Sequence, residues 1–273
     1  MEMHKGRQLP IMSAHDESAS GALIRFENAE RRYGEVVAVG GVTLDITAGS
    51  FVALVGSSGS GKSTLLKMVN TLVEPTGGRV LFAGDDVTTL PQAQLRRRVG
   101  YVFQGIGLFP HYTVAENIAM GPRLAGEKLA RTRIEELLEL VELERDMASR
   151  MPDELSGGQR QRVGVARALA GDPEILIMDE PFGALDPITR DALGEKVREL
   201  HVKLGLTTVM VTHDMAEALL LADRVLVMSA GEVVADESPQ ALLAGAGGEI
   251  AQSLVAVPRA QAERLARMEG DAP

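Results

Sequence analysis

Gly56-x-x-x-x-Gly61-Lys62-Ser63 limits what this chain can fold into more than any other stretch. It follows a short apolar run, Phe51 to Val55, which reads as a strand buried on both faces. A helical pattern, Leu65-Leu-Lys-Met-Val69, comes directly after it. Strand, glycine loop and helix in that order form the setting that a phosphate-binding loop needs. The glycines let backbone N–H groups converge on an anion, and the helix start adds the positive end of its dipole there. Lys62 is then in reach of the β- and γ-phosphates, and the Ser63 hydroxyl is in place to ligate Mg²⁺. Gly56, Ser57, Ser58, Gly59, Ser60, Gly61, Lys62, Ser63 and Thr64 are therefore the candidate nucleotide contacts. A flexible Gly/Ser turn is the plain alternative, and the flanking strand and helix argue against it. The stretch reads as a binding loop for a nucleoside triphosphate.

The rest of the composition narrows the setting. With 273 residues the chain can bury a full α/β core, as one large domain or as a domain with a lobe. A formal net charge of −10 argues against a general nucleic-acid binder. There is no cysteine, so disulfides and thiol chemistry are excluded, which fits a reducing compartment. The N-terminal segment lacks an apolar core of signal-peptide length, and no run approaches the roughly 18 apolar residues of a membrane span. The expectation is a cytoplasmic protein whose membrane role, if any, comes through a partner.

In chain order, residues 1–21 read as a polar, disordered tail. Val42, Leu44 and Ile46 alternate with polar residues, as in a half-buried antiparallel strand, and Arg79 to Phe82 reads as another strand of the same small sheet. Tyr33 either stacks on a base or covers the core from a strand end. Val99 to Phe103 is a buried strand leading to Gln104, and Thr113-Val-Ala-Glu116 has the spacing of a capping box. Residues 106–165 read as a helical lobe inserted into the core. Ser156, Gly157, Gly158 and Gln159 precede a helix predicted over Arg160 to Ala170 and make either a second anion-binding end or a plain Gly-rich cap. Arg160, Arg162 and Arg167 read as a solvated helix face.

Ile175 to Met178 delivers two carboxylates, Asp179 and Glu180, to the end of a strand where ligands bind in an open parallel sheet. Asp179 fits a direct or second-sphere ligand of Mg²⁺, and Glu180 is placed to polarise a water as general base. Asp186 follows in a loop. Thr207 to Thr212 is a further buried strand, ending at His213 on the same sheet edge, where a γ-phosphate sensor belongs. Leu226–Met228 and Val233–Ala235 suggest a closing hairpin, and the tail reads as helical pieces broken at Gly245–Gly248 and at Pro258.

Taken together, residues 22–240 resemble the ATP-binding cassette (ABC) ATPases. The aromatic at Tyr33, the Walker A loop Gly56–Ser63, Gln104, the signature Leu155–Gln159, the Walker B strand Ile175–Asp179, Glu180, Asp186 and His213 fall in family order. The resemblance implies an α/β P-loop NTPase (RecA-like) core with an antiparallel β subdomain and an inserted α-helical subdomain, followed by a helical tail over residues 241–273. It implies ATP and Mg²⁺ as cofactors, with Ser63, Gln104 and Asp179 around the metal and Lys62, Gln104, Glu180 and His213 in catalysis. It also implies a head-to-tail dimer, in which Ser156, Gly157, Gly158 and Gln159 of one chain close on the ATP of the other. Further implied partners are integral-membrane permease subunits and, indirectly, an extracytoplasmic substrate-binding protein, with the chain peripheral on the inner face of the cell membrane.

Tyr101 through Ile118, with Ile-Gly-Leu-Phe-Pro-His at 106–111, is most similar to bacterial importers of quaternary amines such as glycine betaine, choline or carnitine. Gly105 stands where those relatives usually show a second glutamine, and many of them carry a regulatory pair of domains after the cassette. The alternatives are an importer of amino acids or polyamines, or a soluble cassette ATPase of DNA repair or translation. A single cassette without heptads or cysteines disfavours the last.

Overall fold

The computed structural model describes residues 21–270, so the expected disordered tail lies, apart from Gly21, outside the described residues. The chain opens with β1 (Ala22–Tyr33), β2 (Val36–Thr47), β3 (Phe51–Val55), α1 (Lys62–Met68), β4 (Gly77–Phe82), β5 (Asp85–Asp86), α2 (Gln92–Arg98) and β6 (Val99–Val102). A helical stretch follows: α3 (Val114–Ile118), α4 (Met120–Leu124), α5 (Arg131–Leu140), two short 3₁₀ turns and α6 (Gly157–Leu169). The chain then returns to the sheet through β7 (Ile175–Asp179), α7 (Pro187–Leu204), β8 (Thr207–Thr212), α8 (Met215–Leu221), β9 (Arg224–Ser229) and β10 (Glu232–Glu237). It closes with α9 (Pro239–Leu243) and α10 (Gly248–Gly270).

Two sheets result. A small antiparallel sheet has the order β2-β1-β4-β5, and a six-stranded sheet runs β10-β9-β3-β8-β7-β6. In the larger sheet β3 pairs parallel with both β8 and β9, β7 pairs parallel with β6 and β8, and β10 is antiparallel on the edge. The strand over Val42–Ile46 and the strand over Arg79–Phe82 thus share one small sheet, and the 226–235 hairpin closes an edge of the other.

The period of two along β3 explains why it is apolar without interruption. Phe51, Ala53 and Val55 enter a core shared with the helices, including Leu137, Leu193 and Ala218. Val52 and Leu54 enter a second core with Phe26, Phe82 and Leu65, beneath the small sheet. A strand covered on both sides has no solvent face for polar residues, and each large side chain so buried is worth roughly 1.5–3 kcal/mol.

Three expectations need correction. Phe103 lies beyond the end of β6 and is exposed. The helix expected to start at Arg160 begins at Gly157, because Ser156 caps it: its hydroxyl accepts the Gln159 N–H, and the Gln159 side chain accepts the Ser156 N–H in return. Pro258 does not break the tail, since α10 runs through it from Gly248 to Gly270, anchored by buried Ala251 and Val255. Among the described residues, no helix is long and apolar enough to cross a membrane.

Candidate active site

The strand order β9-β3-β8-β7-β6 brings the C-terminal ends of its parallel strands to one edge, where the loop after β3 emerges. That loop depends on glycine at two close approaches. A Cβ on Gly56 would lie 2.2 Å from the Met228 carbonyl oxygen, and one on Gly61, at φ +101°, would lie 2.2 Å from that of Ala38. The loop is thereby pressed between β2 and the end of β9, and Gly231 N–H donating to Ser60 O at 3.1 Å closes it from behind.

Inside the loop Lys62 is buried, and its Nζ donates to Gly56 O and Ser57 O, both at 2.8 Å, and to Ser60 Oγ at 3.4 Å. Burial lowers its pKa from the ordinary lysine value, while Glu180 and Asp179 oppose that shift. The ammonium is held by uncharged acceptors, an arrangement that phosphate oxygens can take over without loss of hydrogen bonds.

Asp179, almost fully buried at the end of β7, accepts from Ser63 Oγ at 2.7 Å on Oδ1. Its Oδ2 accepts from Tyr101 OH at 3.3 Å and lies 3.5 Å from Lys67 Nζ. Burial, then the neighbouring Asp179 carboxylate, pushes the Tyr101 hydroxyl well above its ordinary pKa, so it stays a donor. Neither Lys67 nor Tyr101 was singled out from sequence. Lys67 was legible in hindsight, since it falls four residues after Ser63 on one helix face. Tyr101 was not, because its partner belongs to the neighbouring strand.

Glu180 follows with φ +46°, a left-handed backbone that is costly for a side-chain-bearing residue. Its N–H donates to Val211 O of β8 at 2.9 Å, which pins the turn. The carboxylate Oε2 then accepts from Gln104 Nε2 at 3.1 Å and lies 3.5 Å from His213 Nδ1. Residues from the ends of β6, β7 and β8 therefore meet around one carboxylate. Gln104 contacts Glu180 and makes no hydrogen bond to Ser63 or Asp179 among the described residues.

The remaining candidates stand apart from this cluster. Tyr33 is 48% exposed at the end of β1, with the Arg31 guanidinium 4.4 Å from its ring centroid. Ser156 to Gln159 form the capped start of α6, where Gly158 lies against Thr189 of α7, and no hydrogen bond among the described residues joins them to the loop after β3. Asp186 caps α7 and accepts the Thr189 N–H at 3.1 Å; hydrogen bonds from the Thr189 side chain and backbone lower its pKa.

The arginines of α6 are not a solvated face. Arg160 donates to Leu155 O at 2.8 Å, and Arg162 to Val141 O and the Glu142 carboxylate at 2.9 Å each. Arg167, its pKa lowered by burial, donates to Gly107 O at 2.7 Å and Ile106 O at 2.8 Å. They are clamps on loop carbonyls. The segment that Arg167 holds borders a groove of about 460 Å³ lined by Tyr101, Phe103, Phe109, Pro122 and Leu124, of which Phe103, Phe109 and Leu124 are exposed.

A parallel sheet whose strand ends gather a lysine-bearing glycine loop and two acids defines a P-loop NTPase. The family description "ABC transporter" matches residues 39–183. The glycine betaine uptake system ATP-binding protein YehX of Escherichia coli is 52% identical over 81% of this chain and 72% of its own length. The glycine betaine/carnitine/choline transport ATP-binding protein OpuCA of Bacillus subtilis is 44% identical over 85% of this chain but only 62% of its own length. The dimeric post-hydrolysis structure of the cassette MJ0796, bound to ADP and Pi, superposes with a TM-score of 0.71 at 35% identity, over 79% of this chain and 98% of that one. The chain belongs to the ABC transporter family, as one of its ATP-hydrolysing cassettes.

Proposed function

We propose that this chain is the ATP-hydrolysing subunit of a bacterial importer of a quaternary-amine osmoprotectant such as glycine betaine, choline or carnitine. The observation that carries the reading is the 52% identity to YehX over 223 residues, 81% of this chain. The Ile106–His111 segment, buttressed by Arg167, points the same way. The test is uptake of radiolabelled betaine, choline and amino acids with the cognate operon present and deleted. Loss of quaternary-amine uptake alone is expected; unchanged uptake of every such amine refutes the substrate.

In this reading Lys62 and the loop N–H groups hold the β- and γ-phosphates, and Tyr33 stacks on the adenine. The donor set fits Mg²⁺. No cluster of three acids or histidines able to hold a metal exists among the described residues, and Mg²⁺ characteristically binds through one or two carboxylates, phosphates and water. Ser63 and Asp179 would hold the ion, with Gln104 at its border, and it would neutralise charge on the phosphates. Glu180 draws a proton from the attacking water, while Gln104 and His213 fix the carboxylate's direction and His213 faces the γ-phosphate.

Because Ser156–Gln159 stand apart from the loop after β3, a second copy supplies them, head to tail, with ATP between the two chains. The core and the helical lobe, 106–165, are the two moving parts of that closure. The groove beside Phe103 and Phe109 suits an apolar segment of a membrane permease, since Phe103, Phe109 and Leu124 expose apolar side chains along it. Such a chain sits at the inner face of the cell membrane through that partner, with a substrate-binding protein acting on the far side.

A further inference from the structure

His213 is 63% exposed beyond the end of β8, so its direction rests on the backbone around it. That backbone is fixed by one hydroxyl. Thr212 Oγ1 donates to Glu217 Oε2 at 2.6 Å and accepts the Asp214 N–H at 3.0 Å, so both bonds bridge across His213 from the residue before it to residues after it. Asp214 in turn caps α8, its Oδ1 accepting the N–H groups of Ala216 at 2.8 Å and Glu217 at 3.4 Å.

The spacing Asp214-x-x-Glu217 is that of a capping box, in which the later acid normally takes the N–H of the capping residue itself. Here the Thr212 hydroxyl is inserted between them. It accepts the Asp214 N–H and donates its own O–H to Glu217, which extends the box backward across His213. Glu217 is buried enough, at 12% side-chain exposure, that a purely stabilising ion pair would be expected to show close contacts. Its neighbour on α7, Arg190, instead stands 3.7 Å away, and Arg190 lies 3.8 Å from Asp214. The short bond of Glu217 is the one to Thr212. A cleft of about 520 Å³ between α7 and α8 opens over Arg190, Asp214 and Glu217, so the support is not forced by tight packing.

We propose that Thr212 and Glu217 are positioning residues for ATP hydrolysis, holding the turn through His213 so that the imidazole stays against Glu180. The proposal rests on the reading above, that Glu180 and His213 flank the γ-phosphate. It assigns the pair an effect on turnover and none on nucleotide binding: Thr212 pairs with Val55 at the base of the loop after β3, but its side chain bonds only Glu217 and Asp214, and among the described residues neither side chain hydrogen-bonds to the loop.

The test is steady-state ATPase activity of the full chain carrying Glu217→Ala, Glu217→Gln or Thr212→Val, with binding of a fluorescent ATP analogue measured alongside. Glu217→Ala and Thr212→Val should each lower kcat about tenfold, the scale of one lost orienting contact, with KM and analogue affinity within about twofold of the parent. Glu217→Gln should keep more than half of kcat, since its amide oxygen still accepts the Thr212 proton. If Glu217→Gln falls as far as Glu217→Ala, or Thr212→Val turns over normally, or the loss sits in KM, the proposal is overturned. Should Glu217→Ala fail to fold, the near-isosteric Thr212→Val and the Gln variant decide it. Glu180→Gln and His213→Ala serve as controls: normal turnover in those two overturns the active-site reading itself, a different result from failure of the Thr212–Glu217 pair alone.

Discussion

Lys62 carries the positive charge of the site, and its surroundings set what its loss does. Its three acceptors are two loop carbonyls and the Ser60 hydroxyl, so the ammonium also braces the loop. Lys62→Ala should lower ATP-dependent phosphate release by at least about 100-fold, the range seen when one donor to a developing oxyanion is removed. It should also cost some stability, about 1–3 kcal/mol for each carbonyl left buried without a partner. Phosphate release and thermal melting of the same preparation separate the two effects. Near-normal turnover would sink the assignment of the phosphate loop. At this scale most of the site was legible: a glycine loop announces itself because its chemistry needs consecutive residues. Tyr101 was not, since it acts through Asp179 of the neighbouring strand, and Lys67 showed only as a helix-face neighbour of Ser63, with its contact to Asp179 unseen.

The loop between β6 and α3 shows what an element adds. The capping box at Thr113 and Glu116 was readable and is formed, the Thr113 hydroxyl accepting the Glu116 N–H and the Glu116 carboxylate accepting the Thr113 N–H. Asn117 was not readable, yet it is fully buried and organises the loop. Its Oδ1 accepts the Phe109 N–H at 2.8 Å, and its Nδ2 donates to the carbonyls of Phe109, Tyr112 and Thr113. Those partners are all backbone groups, which have no identity in sequence. Asn117→Ala should destabilise the fold by about 2–4 kcal/mol, from one unpaired N–H and carbonyls stripped of their donor. Urea unfolding checks it, and a midpoint equal to the parent's would show that water replaces the side chain. The arginines of α6 were misread for the same reason: a helix face predicts where a guanidinium points, not that loop carbonyls wait there.

For the molecule as a whole, the separation of Ser156–Gln159 from the phosphate loop is the feature with the largest consequence. If a second copy completes the site, a chain that binds ATP but cannot hydrolyse it should stay paired. Glu180→Gln removes the charge that draws a proton from water and keeps the side chain's shape, so ATP is retained. An ATP-stabilised dimer is expected for that variant by size-exclusion chromatography at high protein concentration, with the parent dimeric only in passing. Adding Ser156→Arg should return it to monomer, because a bulky cation obstructs approach to the partner's nucleotide. A double variant that dimerises with ATP as tightly as Glu180→Gln alone would refute the head-to-tail site.

The sequence by itself determined the strands, the glycine loop and the chemical types of the site residues, because each depends on local spacing or on alternation along a single element. Phe51 to Val55 had to be a doubly buried strand, and Gly56 to Ser63 had to turn there. What only the tertiary structure decided is which of those residues meet. Ser63 and Asp179 are 116 positions apart, and Gln104 and Glu180 are 76 apart. The order of strands in the larger sheet, β10-β9-β3-β8-β7-β6, brings them together. That order is set by how two cores fill on either side of the sheet, a property of many side chains at once that no single motif contains. The same packing holds Glu180 at a positive φ and forms no hydrogen bond between Ser156–Gln159 and the loop after β3 among the described residues, the separation on which the proposed two-chain site rests.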